Sequence, residues 1–487
     1  MKVLTVEQIK NVEKTAVLNG LFSYEDLMKN AGKAVFEQIS AQGSVAGKRV
    51  LILVGSGNNG GDGLVVAGLL KDAGAIVKIL APYGLPKTKT AIVFCPGILD
   101  IDQVNSVDDE FDIYVDALFG IGLNRELDTD TSRIIDTVNK KKGLKIAVDV
   151  PSGLFSNGGS AGCVFHADFT VTFIGYKLCQ LLPPTSSFCG AVVPNGLGID
   201  VKNEYSYSVI DKPIPKIYDK NAHKGTFGTV LTVCGSYGMC GASILSARAA
   251  LTSGAGIVKS IVCDRNYSAF TSAVPEAVTI PVGTSPQGAP VVYDETMISA
   301  VSRANSLLVG CGLGDNSDAQ KVVENVLKYT NVPTVIDADG INAVARNIRL
   351  LIDAKVPIIL TPHPGEMARL LKTTISDVEA NRVNYSRNFA VQYKCILVLK
   401  GANTIVASPD GEVFFNVTGN YGLAKGGSGD VLSGIIAALL ANGYDPIEAA
   451  LCGVYVHGEA GDNAAKRYSK RTVLPSDVIG ELKHISF

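Results

Sequence analysis

At 487 residues the chain exceeds the ~250–300 residues at which single hydrophobic cores stop growing, so at least two domains are expected. Hydrophobic residues make up 47% and charged residues 18%, and the formal net charge is -2, which leaves no basic surplus for a nucleic-acid partner. No charge-free run approaches the ~20 apolar residues of a membrane span, no signal pattern opens the chain, and the ten cysteines form no CxxC pair. We therefore expect reduced thiols in a cytoplasmic protein with no membrane partner.

Residues 3–40 carry apolar side chains at helical spacing, with Glu7, Glu13, Lys14, Lys29 and Lys33 assigned to a wet face. "KRVLILVGSGNNGGDG" then reads as a buried strand, a glycine turn and a helix start. Short apolar strand candidates follow in "GAIVKIL", "TAIVFC", "FDIYVDALFG", "KIAVDVPSG" and "ADFTVTFIG", with helical stretches at 61–73 and 130–140 between several of them. Continuous apolar strands alternating with helices predict an α/β domain on a mostly parallel sheet.

Gly55, Gly57 and Gly60 form a GxGxxG spacing in the context that gives it meaning, because a helix N-terminus can hold a diphosphate. The next strand, "AIVKIL", leads into "APYGL" with no acid for ribose hydroxyls, which argues against ordinary hydride transfer. Asp116 and Asp149 end later strands, and Ser152 follows Asp149. Ligands of open α/β sheets lie beyond the carboxyl ends of strands, so Asn59, Asp116 and Ser152 are candidates to converge as hard oxygen donors for an alkali or alkaline-earth ion. Each alone also fits as a turn cap.

The polar segment at 202–216, with two prolines, reads as a seam between domains 1–205 and 206–487. A second alternation begins at "GTVLTVCGS" and runs through "SLLVGCGLG", "VPTVIDADG", "VPIILTPHPGE" and "CILVLKG". In "TGNYGLAKGGSGDVLSGIIAALL", Gly426, Gly427, Ser428 and Gly429 make a compact turn and Asp430 sits where a helix begins. The turn's N–H groups can stabilise transferring phosphoryl oxygens, and Asp430 can take the proton of an attacking hydroxyl. No GxxxxGK[ST] run is present, and Asp430 also fits as a helix cap. Lys425, directly before the glycines, could add attraction for phosphate or shift the nucleotide preference.

"GSGNNGGDG", "DALFGIGLNRE", "VDVPSG" and "TVTFIGYK", with "LMKNAG" upstream, resemble the NAD(P)H-hydrate epimerase family over roughly residues 5–200. That resemblance implies a Rossmann-like three-layer α/β/α domain that interconverts the R and S hydrates at C6 of the reduced nicotinamide ring. It places Asn58, Asn59, Gly60, Gly61 and Asp62 on the substrate, with Gly120, Ile121, Gly122, Leu123, Asn124, Arg125, Glu126 and Asp149 lining the site. It gives Asn59, Asp116 and Ser152 to a potassium ion (K+). Asp149 is the preferred acid–base group. Lys177 is a weaker candidate for charge balance or proton relay, and reads equally as a solvent-facing lysine.

"HKGTFGTVLTVCGSYGMCGASILSARAALTSGAGIV", "GCGLG", "VIDADGINA", "LTPHPGEMARL", "VLKGANTIV" and "YVHGEAGD" resemble the ADP/ATP-dependent NAD(P)H-hydrate dehydratase family, within the ribokinase-like superfamily, over about 220–475. This implies that Ala242, Gly312 or Gly314, His363 and Asp430 line the hydrate site. Lys400, Gly401, Ala402, Asn403, Thr404 and Gly429 are expected on the nucleotide, ADP or ATP. Asp337 and Asp339 either arrange magnesium (Mg2+) through water or cap the following turn, and His457 is open between site and core. The combined expectation is a bifunctional, self-associating repair enzyme for the hydrates NADHX and NADPHX, with a phosphorylated intermediate. The rivals are a small-molecule kinase that leaves a stable phosphorylated product and a dinucleotide-sensing module without activity.

Overall fold

In the computed structural model, which describes residues 1–98, 101–104, 106–201 and 205–487, the apolar runs fold into buried strands of two compact units, Met1–Ser208 and Val209–Phe487. Of the seam read at 202–216, residues 202–204 lie outside the described residues.

The first unit is built on a seven-stranded sheet in the order Asp102–Gln103, Ile76–Leu80, Arg49–Val54, Ile113–Ala117, Leu144–Val148, Phe169–Phe173 and Ala191–Asn195. Every pairing is parallel. Successive strand side chains point to opposite faces. Ile52, Val115 and Val148 join a core with helices Val6–Leu18, Tyr24–Ser40 and Asn58–Asp72, while Leu51, Leu53 and Ala147 join one with helix Thr129–Lys140. The result is the expected three-layer α/β/α arrangement.

The helical pattern of residues 3–40 is interrupted after Leu18, and each of its two helices begins with a reciprocal cap, at Thr5 with Gln8 and at Ser23 with Asp26. One strand assignment fails. "TAIVFC" lies in a 3₁₀ helix, Ala91–Ile98. Ala91 is buried, but Ile92 and Val93 are each 54% exposed, which a central strand would not permit. A short apolar run does not distinguish strand from helix by periodicity.

In the second unit the parallel neighbours run Val278–Val282, Ile257–Cys263, Thr229–Val233, Ser306–Val309, Thr334–Ile336, Ile358–Leu360 and Ile396–Leu399. Ile405–Ala407 and Val413–Phe415 extend the sheet antiparallel. Val230, Leu308, Val335, Ile359 and Val398 pack with helices Cys240–Thr252, Ser428–Ala441 and Pro446–Arg467. The opposite face is left to Ser317–Tyr329, Asp339–Arg346 and Pro364–Leu371.

In each unit the strand order reverses once beside the first long strand, between Arg49–Val54 and Ile113–Ala117, and between Thr229–Val233 and Ser306–Val309. A ligand crevice forms at such a reversal. Among the described residues no helix is long and apolar enough to cross a membrane.

Candidate active sites

The chain passes itself closely at the first reversal. A Cβ on Gly55 would stand 1.8 Å from the carbonyl oxygen of Leu118, and one on Gly60 would stand 1.9 Å from that of Gly55. Backbone proximity therefore requires glycine here. Beyond this turn lies a cavity of about 610 Å³. Asn58, Asn59, Asp62, residues 120–125 and Asp149 line it. Gly60 and Gly61 are buried under the turn, and Glu126 is exposed and not part of the wall.

Asp149 has a φ of 63°, a left-handed conformation that costs a non-glycine residue about 1–3 kcal/mol and needs support. Its N–H donates to Val171 O at 2.8 Å, and Gln180 Nε2 donates to its carbonyl at 2.7 Å. Lys177 is fully buried and ion-paired with Asp149 Oδ1, so it is no solvent-facing lysine. The ammonium also donates to Thr172 Oγ1 at 2.7 Å and Phe173 O at 3.0 Å, and Phe173 N donates to Asp149 Oδ1 at 3.1 Å. The carboxyl is thereby fixed in position, with Oδ2 free of hydrogen bonds among the described residues.

Glu13, assigned from sequence to the wet face, is instead on the cavity wall. It lies four residues after Ile9 and three before Ala16, on the buried stripe of its helix. A charge on that stripe was the available signal. Burial pushes its carboxyl up to about 7, helped by repulsion from Asp149 and opposed by Lys177 and Lys10. Asp62 is raised well above the usual carboxylate range by burial and then by Asp149 and Glu13.

Asp116 is wholly buried, and burial raises its carboxyl to about 6 against the hydrogen bonds it accepts. Those come from Ser152 N and Ser152 Oγ, both at 2.7 Å, and from Leu118 N at 3.2 Å. Asn59 Nδ2 is buried without a partner, and its Oδ1 lies 2.9 Å from where a Cβ on Gly120 would stand.

In the second unit the candidate groups sit at strand ends and at one helix start. Helix Ser428–Ala441 begins from Gly427, at φ 96°, and no side chain caps its first turn. Its N–H groups are thus left for a ligand. Asp430 lies in that turn, and its carboxyl is held at about 7 by burial and then by the charge of Asp337, against Cys311 and Lys400. Ligand atoms of Cys311, Asp337 and Asp430 lie within 4.8 Å of one another.

Asp337 follows strand Thr334–Ile336 and is 1% exposed. Lys400 Nζ approaches its Oδ1 at 2.7 Å, and Ser433 Oγ donates to its Oδ2 at 2.6 Å. Burial alone would raise Asp337, yet Lys400 and the Ser433 and Thr361 hydroxyls hold it below the usual range. Lys400 Nζ also lies 3.9 Å from Glu366 Oε2. A Cβ on Gly429 would stand 3.2 Å from Lys400 Nζ, so the glycine turn rests against this ion pair.

The remaining predicted residues fall around this cluster. A Cβ on Gly312 would meet that of Ala242 at 2.8 Å, and Gly314 N donates to Asp339 Oδ2 at 2.7 Å. His363 caps its own helix, Nδ1 accepting from Gly365 N at 3.0 Å and Glu366 N at 3.3 Å. Burial, then Lys400 and Arg369, lower its pKa. Gly401, Ala402, Asn403 and Thr404 form a turn closed by Thr404 Oγ1 on Gly401 O at 3.2 Å. Buried Arg382, unforeseen from sequence, donates to Leu399 O at 3.2 Å and Lys400 O at 3.3 Å behind it. His457 is buried, lowered to about 4 by burial and then by Lys400, with Nε2 unpartnered. Lys425 turns its ammonium to the carbonyl oxygens of Arg471, at 2.9 Å, and Val473, which corrects its reading as a phosphate attractant.

Residues 230–484 match the family described as NAD(P)H-hydrate dehydratase, and residues 24–179 match the YjeF-related protein N-terminus. The chain is 35% identical to a bifunctional NAD(P)H-hydrate repair enzyme of Moorella thermoacetica, over 100% of this chain and 96% of that protein. It is 33% identical to the Escherichia coli protein of the same description, over 98% of this chain and 93% of the other. A crystallised ADP/ATP-dependent NAD(P)H-hydrate dehydratase from Bacillus subtilis is 31% identical, covering 56% of this chain and 92% of its own, with a TM-score of 0.49.

Proposed function

This chain belongs to the family of bifunctional NAD(P)H-hydrate repair enzymes, and from that premise we propose how its two units divide the work. The protein is an enzyme that joins isomerase and lyase activities in nicotinamide-nucleotide repair. In our reading residues 1–205 epimerise NADHX and NADPHX at C6, and residues 206–487 dehydrate the S epimer with ADP or ATP.

In the second unit Asp430 removes the proton of the C6 hydroxyl, whose oxygen attacks the terminal phosphoryl group of the nucleotide. The observation that carries this step is a buried carboxyl held near 7 in the uncapped first turn of a 14-residue helix. That environment suits a base working at neutral pH. The N–H groups of Gly426, Gly427, Ser428 and Gly429 receive phosphoryl oxygens, and Lys400 through Thr404 hold the nucleotide. Ala242, Gly312, Gly314 and His363 shape the hydrate site. The ring nitrogen then expels phosphate from C6, and loss of a C5 proton yields NADH or NADPH.

In the first unit Asp149, locked by Lys177, works on the hydrate above the turn Asn58–Asp62, with Gly120–Arg125 closing the site. The oxygen donors of Asn59, Asp116 and Ser152 fit a potassium ion, because Asp116 is a buried carboxylate with no Lys or Arg partner among the described residues. Potassium bound there would supply positive charge near the substrate diphosphate. The Cys311–Asp337–Asp430 cluster does not fit a magnesium cage, since a thiol is a soft donor and Asp337 is already paired with Lys400. Magnesium would instead come with the nucleotide phosphates, with carboxylates reaching it through water.

The test mixes the purified protein with both C6 epimers of hydrated NADH, potassium, magnesium and either ADP or ATP. Recovery of NADH absorbance and the amount of each epimer are followed against a protein-free control. Complete conversion is expected. Conversion of the R epimer only at the control rate would sink the epimerase assignment. No nucleotide-dependent recovery would sink the dehydratase and favour a kinase with a stable phosphorylated product.

A further inference from the structure

Asp149 alone does not account for chemistry on both faces of C6. If the hydroxyl leaves from one face and water returns to the other, one group must give a proton to the departing oxygen and another must take one from the entering water. Asp149 is placed to take a proton, because Lys177 and the Phe173 N–H engage its Oδ1 and leave Oδ2 without a hydrogen bond among the described residues. A group that starts with a proton is still required.

The cavity wall contains two further acids, Glu13 on helix Val6–Leu18 and Asp62 on helix Asn58–Asp72. Among the described residues no hydrogen bond or ion pair engages either carboxyl. Asp62 belongs to the glycine turn already assigned to the substrate. Glu13 is free of any other task and comes from a different layer element than Asp149.

We propose that Glu13 is the second catalytic residue of epimerisation, the acid that protonates the departing C6 hydroxyl while Asp149 receives the proton of the water that replaces it. This rests on the reading of the first unit as an epimerase. In the forward step the C6–O bond breaks with its electron pair going to oxygen, the Glu13 proton completes a water molecule, and the ring nitrogen lone pair forms an N1=C6 iminium. Water then adds to the opposite face and its proton passes to Asp149. Exchange with solvent then moves a proton from Asp149 back to Glu13, which restores the enzyme, and no oxidant, reductant or co-reactant is consumed. The charges around Glu13 are consistent with a carboxyl that keeps its proton near neutrality. Burial is the largest influence, Asp149 disfavours its ionisation, and Lys177 and Lys10 favour it.

The experiment uses the full chain with potassium and no nucleotide, so that the dehydratase is idle. Exchange between the two NADHX epimers is followed by NMR, and uptake of ¹⁸O from labelled water into the C6 hydroxyl is followed by mass spectrometry. For Glu13→Gln we expect kcat to fall by about 100-fold or more with KM little changed, loss of ¹⁸O uptake, and disappearance of the ionisation near pH 7 from the rate profile. Glu13→Asp keeps a carboxyl and should recover part of the rate, which separates lost proton chemistry from lost fold. A Glu13→Gln enzyme that keeps wild-type kcat and its pH profile overturns the proposal. So does a Glu13→Asp enzyme no faster than Glu13→Gln. Asp149→Asn, measured in parallel, separates the two levels of inference. If it is inactive while Glu13→Gln is fully active, the Glu13 assignment alone falls. If wild type itself exchanges no epimers, the epimerase reading falls with it.

Discussion

The ammonium of Lys400 and the carboxylate of Asp337 meet at 2.7 Å in the second unit, joining the ends of two parallel strands that are 63 residues apart in the chain. Asp337 is 1% exposed, so its charge is tolerated only with that partner. Lys400→Met should destabilise the second unit by about 3 kcal/mol, the lower end for breaking a buried pair because Lys400 keeps some exposure. Adding Asp337→Asn should restore part of the loss. Denaturant unfolding followed by circular dichroism reads both, since the chain has no tryptophan.

Asp430 gives opposite pH signatures for rate and stability. A base must be ionised to act, so dehydratase kcat/KM should rise with pH through about 7 and level off above it. Its folded pKa is raised above the unfolded value, so between about pH 4 and 7 the unfolded chain holds fewer protons than the folded one at this site. The contribution to stability therefore falls as pH rises through that window. Asp430→Asn should abolish dehydration and make the protein more stable than wild type at pH 8, by more than about 1 kcal/mol. Thermal melts at pH 5 and pH 8 check this, and an unchanged difference between variant and wild type at the two pH values would contradict it.

Lys425 should matter to stability more than to nucleotide affinity. Its ammonium serves the carbonyl oxygens of Arg471 and Val473. Lys425→Ala should leave the KM for ADP and ATP within about 3-fold and lower stability by about 1–3 kcal/mol, as for lost charge-assisted hydrogen bonds. A tenfold rise in KM with an unchanged melting curve would return the residue to the phosphate.

Gly60→Ala should impair the first unit through its backbone. The new Cβ would stand 1.9 Å from Gly55 O, so the turn has to open. Overpacking of this kind costs about 1–3 kcal/mol. We expect lower thermal stability and reduced epimer exchange, with dehydration of the S epimer unchanged. Gly68→Ala, in the same helix and outside the cavity lining, is the control, because a Cβ there meets nothing within 4 Å.

Much of this protein was legible in its residue order. Unbroken apolar runs such as "VLILV" and "ILVL" belong to strands buried on both faces, and the glycine turns after them mark where a ligand can approach backbone. Both reversal points carry motifs that were readable in advance, because strand–turn–helix geometry is local. The run "TAIVFC" was misread because its destination is set by packing and not by its own pattern.

What the sequence could not determine is which charges meet. Lys177 looked free to face solvent until the tertiary structure buried it against Asp149, and Lys425 looked aimed at phosphate until two distant carbonyls claimed it. Glu13 passed for a surface residue until the cavity formed around it. Local sequence sets helices, strands and turns through short-range sterics and hydrogen bonding. The charge state and partner of a carboxyl depend on desolvation and on groups tens to hundreds of residues away, and only the packed fold brings those together.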